Sequence, residues 1–462
     1  DFKGSTLTEK HWLRSWSNET YLWYSEIPDI NPASDVTVSD YFDALKTNAV
    51  TPSGAPKDQF HYTVPTQEFE QFSQSGIGLG YGIHWIFGSP TPPRELHVAY
   101  VEPGSSAHLA GITRGMRIME INGEDLVNGN TQELVNNINA ALFPDSSGQT
   151  HTFGVLASGE ADTGTYPQID LTSENTASSP VLTTNTIATA GGNVGYLVFN
   201  EHIATAESAL IDAVNDLADD SVTDLVLDLR YNGGGLLAIA SQLAYMIAGD
   251  ANTSGRIFET TQFNDKHPVI NPVSQQAITP IPFIDESIGF SEPAGQSLPT
   301  LDLNRVFIIT GNETCSASES IINSLTGIGL EVVLIGSTSC GKPYGFYPQD
   351  NCGTTYFTIQ FQGVNDIGFG DYPDGFTPAN SGDIGVTIQG CSVADDLGKE
   401  LGDITEERLA AALAWRESPA SCPTPPPVAS LSTIQIFPFD LISIQSAEEN
   451  SFLQNNRILW MK

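Results

Sequence analysis

The sequence predicts a multidomain α/β protein: a mainly parallel sheet core covered by helices, preceded by a small β-rich domain and a helical N-terminal segment. Two observations predict it. Between residues 192 and 336, continuous apolar runs ("NVGYLVFN", "VTDLVLDLR", "RVFIITG", "EVVLIGS") alternate with amphipathic patterns ("TAESALIDAVNDLA", "LLAIASQLAYMIAG", "SESIINSLTGIG"). Strands buried on both faces and joined by crossover helices read this way. From about residue 76 the texture changes to short alternating strands punctuated by glycine turns. The chain's 462 residues, 40% of them hydrophobic, suffice for roughly two to four domains with at least one large core.

In chain order, residues 1–70 form the helical N-terminal segment. Trp12 and Trp16 lie four apart, followed by Tyr21, Trp23 and Tyr24, as one apolar helix face requires. "SDYFDALKT" reads as a further helix starting near Ser39 or Asp40. Residues 71–160 form the β-rich domain, with a helix at "SSAHLAGI" and turns at Gly115 and "NGED". The core spans 161–420, with a Pro-rich, polar insertion near 255–300 and a closing helix, "GDITEERLAAALAWRE", capped at Thr405. "SPASCPTPPP" marks a boundary. The extension from 421 to 462 alternates weakly from 428 onward, and no role is read from it.

Composition excludes several function classes. Eighteen Lys and Arg stand against 55 Asp and Glu, a formal charge of -37. Such a field repels phosphate backbones and anionic membranes, so no nucleic-acid partner is expected. No apolar run approaches the roughly 18–20 residues of a membrane-spanning helix. Five cysteines without a CxxC pair and eight histidines without HExxH leave no metal site, and no cofactor is expected. The chain begins at Asp1, as a processed protein would, with any signal peptide out of sight.

The chemistry concentrates in three stretches. In "ETCSASESIINSL", Ser316 follows the strand "RVFIIT" and precedes a helix, the place where ligands gather in such sheets. Helix capping is the plain alternative for its serines, and Ser318 is assigned to the helix start. A nucleophilic serine needs a base. No GxSxG occurs and no histidine follows Ser316; the last is His267, and the upstream His202 has no motif around it. Lys342, in "SCGKPYGF", is the only basic residue between Arg305 and Lys399. A lysine kept from water is pushed toward the neutral form a general base needs, although a solvent-reaching surface lysine is the competing reading. The third stretch is "LVLDLRYNGGG", whose three glycines allow backbone amides to approach a reacting carbonyl, beyond the tight turn that one or two would explain.

Together these residues resemble a known family. "LVLDLRYNGGG", "CSASE" and "GSTSCGKPYG" resemble the motifs of the C-terminal-processing, or tail-specific, serine peptidases, whose core is ClpP/crotonase-like. "GIGLG", "VEPGSSAHLAGI" and "GMRIMEINGEDL" resemble the PDZ domain embedded in them. The resemblance covers roughly residues 60–415. It implies Ser316 as nucleophile, Lys342 as base and backbone amides near Gly234 and Ala317 as oxyanion hole, with Asp228, Arg230 and Asn232 architectural. It also implies Gly78, Leu79 and Gly80 as a loop holding a peptide's terminal carboxylate. The expected function is a serine endopeptidase with a Ser-Lys dyad, acting on polypeptides recognised through free C-termini. A non-catalytic peptide- or lipophile-binding relative, or an acyl hydrolase, is the alternative.

Two departures stand out. The family's orienting glutamine, four residues after the lysine, is replaced by Phe346, leaving Gln349 and Gln360 as candidates; and the separation of Ser316 from Lys342 is one residue longer than the family's usual spacing. The missing glutamine suggests that a Cys340–Cys352 disulfide clasps the lysine loop. Cys391 would then pair with Cys422, leaving Cys315 free. Such bridges imply an oxidising compartment: a bacterial periplasm or cell envelope, or the exterior.

Overall fold

The computed structural model describes residues 5–419, 421–426 and the backbone of 457–458. Apart from those two residues, the 428–462 stretch lies outside the described region.

The core is a six-stranded sheet in the order Val181–Thr189, Gly192–Phe199, Asp224–Asp228, Arg305–Thr310, Glu331–Gly336, Gly390–Ser392. The first two strands form an antiparallel hairpin, and every later neighbour is parallel. Alternate side chains serve opposite faces. Leu197, Phe199, Leu225, Leu227, Val306, Ile308, Val332 and Leu334 share a core with the helices Ala206–Asp219, Leu237–Ala248 and Ala317–Gly327. Val194, Tyr196, Val198, Val226, Phe307, Ile309, Val333 and Ile335 pack on the helix Glu407–Glu417. Both faces are therefore dry, which is why these strands read as unbroken apolar runs.

Register decides the position of the motifs. Asp228 lies opposite Ile309, and Thr310 opposite Gly336. Three adjacent strands thus end at one edge of the sheet, where the chain continues into "LRYNGGG", "GNETCSASE" and "STSCGKPYG".

Some local expectations are corrected. The closing helix is capped by Glu406, whose carboxylate accepts from Leu409 N, rather than by Thr405. Glu406 is drawn there because it also pairs with buried Arg230. Thr37, not Ser39 or Asp40, caps the helix Val38–Asp43. Within the expected insertion, Ile257–Phe263 is a strand pairing with Phe361–Val364, so that stretch belongs to the fold. Trp12 and Trp16 stack at 5.6 Å against a cluster containing Tyr41, Phe42 and Tyr356, as their spacing predicts.

The β-rich unit has the strand path Ile83–Ser89, Glu95–Val101, Arg117–Ile121, Thr150–Leu156, Gln168–Thr172, so its sheet runs past residue 160. Gly78, Leu79 and Gly80 are not in a free loop. They lie in the strand Ile77–Gly80, paired antiparallel with the chain's own Glu174–Ala177. The turn at Tyr81–Gly82 then leads into Ile83–Ser89, an edge strand on that path.

Buried polar contacts fasten this unit to the core. Arg114 donates to Asp395 (2.6 Å), Tyr231 Oη (2.5 Å) and the Lys399 carbonyl (2.9 Å), while Arg230 binds Asp228, Asp395 and Glu406. His84 meets Glu313, three residues before Ser316, at 2.9 Å. Burial alone would raise the Asp395 carboxyl, but Arg408, Arg230 and Arg114 hold it well below the usual range. A depressed folded value stabilises the protein above the unfolded value of about 3.9, and that contribution is lost as pH falls toward the folded value. Urea titrations should therefore show stability falling below about pH 4. Arg114→Met should cost roughly 3 kcal/mol at pH 7 and less in acid; an equal cost at both would mean that the contact acts through packing alone.

Candidate active site

Ser316 occupies the junction between the strand Arg305–Thr310 and the helix Ala317–Gly327, with φ 59° and ψ -112°. A non-glycine residue held at positive φ stores strain, a feature that concentrates where a side chain must be presented to chemistry. Its hydroxyl is fully buried and has no hydrogen-bond partner among the described residues. Ser316 is at the same time the N-cap residue of that helix, in a capping-box arrangement with Glu319, whose carboxylate accepts from Ser316 N. Ser318 donates its hydroxyl to the Asn232 carbonyl at 3.0 Å.

Glu319 is the hub that sequence reasoning missed. Its carboxylate is fully buried and accepts from Ser316 N (3.0 Å), Lys342 N (2.7 Å), Gly341 N (2.8 Å) and Ser339 Oγ (2.6 Å). Ser316 N and Lys342 N share one oxygen, Oε2, so their backbones lie within two hydrogen-bond lengths of each other. Burial raises the Glu319 carboxyl above its ordinary value although all four donors oppose the rise. The signal was the fourth residue of "SASE", visible as a motif letter without a partner.

Lys342 is fully buried, its Nζ lying 4.2 Å from the Phe346 ring centroid and 4.9 Å from that of Phe60. Phe346, at the expected glutamine position, thus offers the amine an aromatic face, which attracts a cation through the ring quadrupole. Of the glutamine candidates, Gln360 is buried and accepts from Tyr347 N at 2.9 Å, while Gln349 sits in the strand Gln349–Asn351, pairing with Thr354–Phe357.

The glycine turn abuts the serine. A Cβ added at Gly234, whose φ is 96°, would lie 2.8 Å from Ala317 N and 2.9 Å from Ser316 Cβ, so only glycine keeps this space open. The Gly234 amide itself donates to Asn232 Oδ1 at 2.9 Å, an Asx-type turn. The expected oxyanion role of that amide is therefore corrected: its hydrogen is used inside the turn, and Gly234 contributes room beside Ala317 N. Gly235 and Leu236 pair in parallel with the backbone of Arg457 and Ile458, a strand laid along the turn.

His202 is sewn to the same turn through His202 N to Gly234 O and Leu236 N to His202 O. Its Nδ1 lies 2.9 Å from Asn232 Oδ1, and Asn232 Nδ2 donates to Phe199 O, which makes Nδ1 the protonated nitrogen. Burial pushes the imidazole down to about 3, against the raising effect of its hydrogen bonds, so it stays neutral near pH 7.

The cysteine pairing differs from expectation. Cys340 bonds to Cys315, not to Cys352, whose exposed Sγ lies 3.4 Å from Asn351 Oδ1. The geometry of the sheet edge explains the difference, because it places the residue before Ser316 beside the lysine loop; sequence separation alone could not reveal that approach. Cys391 and Cys422 form the second disulfide. The clasp thus ties the lysine loop directly to the serine turn.

The chain is similar to several known proteins. The family model for peptidase family S41 matches residues 193–346, and the model for the S41 N-terminal domain matches residues 8–60. Carboxyl-terminal-processing peptidase 1, chloroplastic, from Arabidopsis thaliana is 25% identical over 336 residues, 71% of this chain and 59% of the relative. A carboxyl-terminal-processing protease from Picosynechococcus is 27% identical over 269 residues, 58% of this chain and 54% of the relative. The chain therefore spans somewhat more than half the length of these relatives. A crystal structure from Bacteroides fragilis, named after the S41 proteases, has the same fold: TM-score 0.65 and 23% identity, covering 88% of this chain and 97% of that one.

Proposed function

We propose that the chain, matched by the S41 models over residues 193–346 and 8–60, is a serine endopeptidase of that family in which Ser316 is the nucleophile and Lys342 the general base. The observation that carries this reading is the shared Glu319 oxygen, which holds the backbones of a strained, buried serine and a buried lysine side by side. Ser316 Oγ attacks the scissile carbonyl as its proton passes to Lys342 Nζ. The ammonium so formed lies against the faces of Phe346 and Phe60 and returns the proton to the leaving amine. Ala317 N–H, facing the space that Gly234 leaves open, stabilises the oxyanion. Water then hydrolyses the acyl-enzyme with Lys342 acting again as base. The substrate backbone adds as a strand along Gly235–Leu236, as Arg457–Ile458 does here.

The core is of the ClpP/crotonase-like kind and the β-rich unit is a PDZ domain. It captures a substrate's C-terminus along the edge strand Ile83–Ser89, with the carboxylate at the backbone amides of the preceding turn. The two disulfides support an oxidising compartment, the periplasm, cell envelope or exterior. Among the described residues no helix is long and apolar enough to cross a membrane.

The test is hydrolysis of an unfolded polypeptide with an apolar C-terminus, as free acid and as C-terminal amide. Cleavage should occur, with KM for the amide raised about tenfold or more, the loss of one charge-assisted set of hydrogen bonds. Equal kinetics would make the β-rich unit a spacer, and binding without cleavage would favour the non-catalytic alternative.

A further inference from the structure

Both halves of the proposed site are joined covalently by one bond. Cys315 immediately precedes Ser316, Cys340 lies two residues before Lys342, and the two are disulfide-bonded. Cys315 is buried, whereas Cys340 is partly exposed and offers a sulfur for exchange. The Cys340 Sγ lies 3.6 Å from Glu319 Oε2, the oxygen that already accepts from Ser316 N and Lys342 N.

We propose that the Cys315–Cys340 bond is a redox-controlled clamp on this site: oxidised, it holds the serine and the lysine in working register, and reduced by a dithiol, it switches the site off. The proposal rests on the assignment of Ser316 and Lys342 above. In the oxidised form, Cys340 Sγ carries no hydrogen and leaves Oε2 to the two backbone amides. Reduction breaks the S–S bond and makes two S–H groups, with both electrons and both protons supplied by a dithiol that itself becomes a disulfide. Two consequences follow. Nonbonded sulfurs need more room than a covalent bond provides, and around buried Cys315 that room comes only from displacing the partly exposed lysine loop. The new Cys340 S–H is also a donor beside Oε2, where it competes with Ser316 N–H and Lys342 N–H for the same oxygen. Both effects separate the nucleophile from its base, and a displacement of about 1 Å in such a pair lowers turnover by up to roughly 100-fold.

The experiment poises the full chain in dithiothreitol buffers of graded oxidised fraction, with a chelator present because the Cys315, Glu319 and Cys340 ligand atoms lie within 4.8 Å of one another. Thiol state is read by alkylation and mass, peptide hydrolysis by kcat and KM, and backbone protection by hydrogen exchange over residues 313–320 and 337–346. On reduction of Cys315 and Cys340, kcat should fall roughly 10- to 100-fold, KM should change little, and exchange should rise in both segments. The double variant Cys315→Ala with Cys340→Ala, which has neither the bond nor the crowding thiols, should lose the response, its kcat and exchange being the same in every buffer. Removing the other bridge, with Cys391→Ala and Cys422→Ala, should leave the response intact.

Unchanged exchange in both segments after verified reduction would overturn the clamp, whatever the activity. So would a double variant whose kcat still follows the buffer, or thiols at Cys315 and Cys340 in the protein as purified without reductant. Redox-dependent exchange without hydrolysis in any buffer would instead sink the peptidase reading and leave the clamp as a redox-responsive contact.

Discussion

Ser316→Ala and Lys342→Ala should each lower kcat for peptide hydrolysis by at least about 10⁴-fold with little change in folding stability, because nucleophile and base act as one unit and either loss removes the whole path. The double variant should be no worse than either single one. The neighbouring hydroxyl separates this from general disturbance of the helix start. Ser318→Ala removes one buried hydrogen bond to the Asn232 carbonyl and should cost about 1 kcal/mol of stability and less than tenfold in kcat. His202→Asn provides a further contrast. His202 is buried, neutral and close to the glycine turn, and its replacement should loosen the turn and lower kcat moderately. Loss on the scale of Ser316→Ala would make His202, and not Lys342, the base.

The second large effect lies at Glu319. Glu319→Ala leaves the backbone N–H groups of Ser316, Gly341 and Lys342 buried without their acceptor, and each such group costs about 1–3 kcal/mol. Chemical denaturation should therefore show a loss of roughly 3 kcal/mol or more, with kcat falling at least about 100-fold because the serine turn and lysine loop are no longer pinned to one oxygen. Glu319→Gln keeps one acceptor oxygen and should recover part of the stability. Its amide nitrogen can face only donors on the other side, so kcat should recover less than stability does. Parallel recovery of both would reduce Glu319 to a structural brace.

The sheet and its three motif loops were legible because the relevant signals are local. Unbroken apolar runs state that a strand is covered on both faces, and the motif residues follow those runs directly in the chain. What the residues could not reveal is which loops meet. The Cys340 partner was misassigned because Cys315 and Cys352 are both compatible with loop closure; only the parallel register of Arg305–Thr310 with Glu331–Gly336 brings Cys315 alongside. Glu319 was hidden for the same reason, since two of the groups it binds lie more than 20 residues away in the chain. Glu406 overrode a good local cap at Thr405 because a carboxylate there also answers buried Arg230. The strand at Gly78–Gly80 was read as an open loop because its partner, Glu174–Ala177, lies nearly a hundred residues further on, in a stretch whose composition reads as polar and irregular.

The most direct test of the central claim is mapping a fluorophosphonate adduct. After reaction of the folded, oxidised protein and proteolytic digestion, mass spectrometry should place a single adduct on Ser316, with its formation slowed at least about 100-fold by Lys342→Ala, since an alcohol without its base is a poor nucleophile. An adduct on Ser318 or Ser320, or labelling of Ser316 at an unchanged rate without Lys342, would contradict the assignment of this serine and lysine as the working pair.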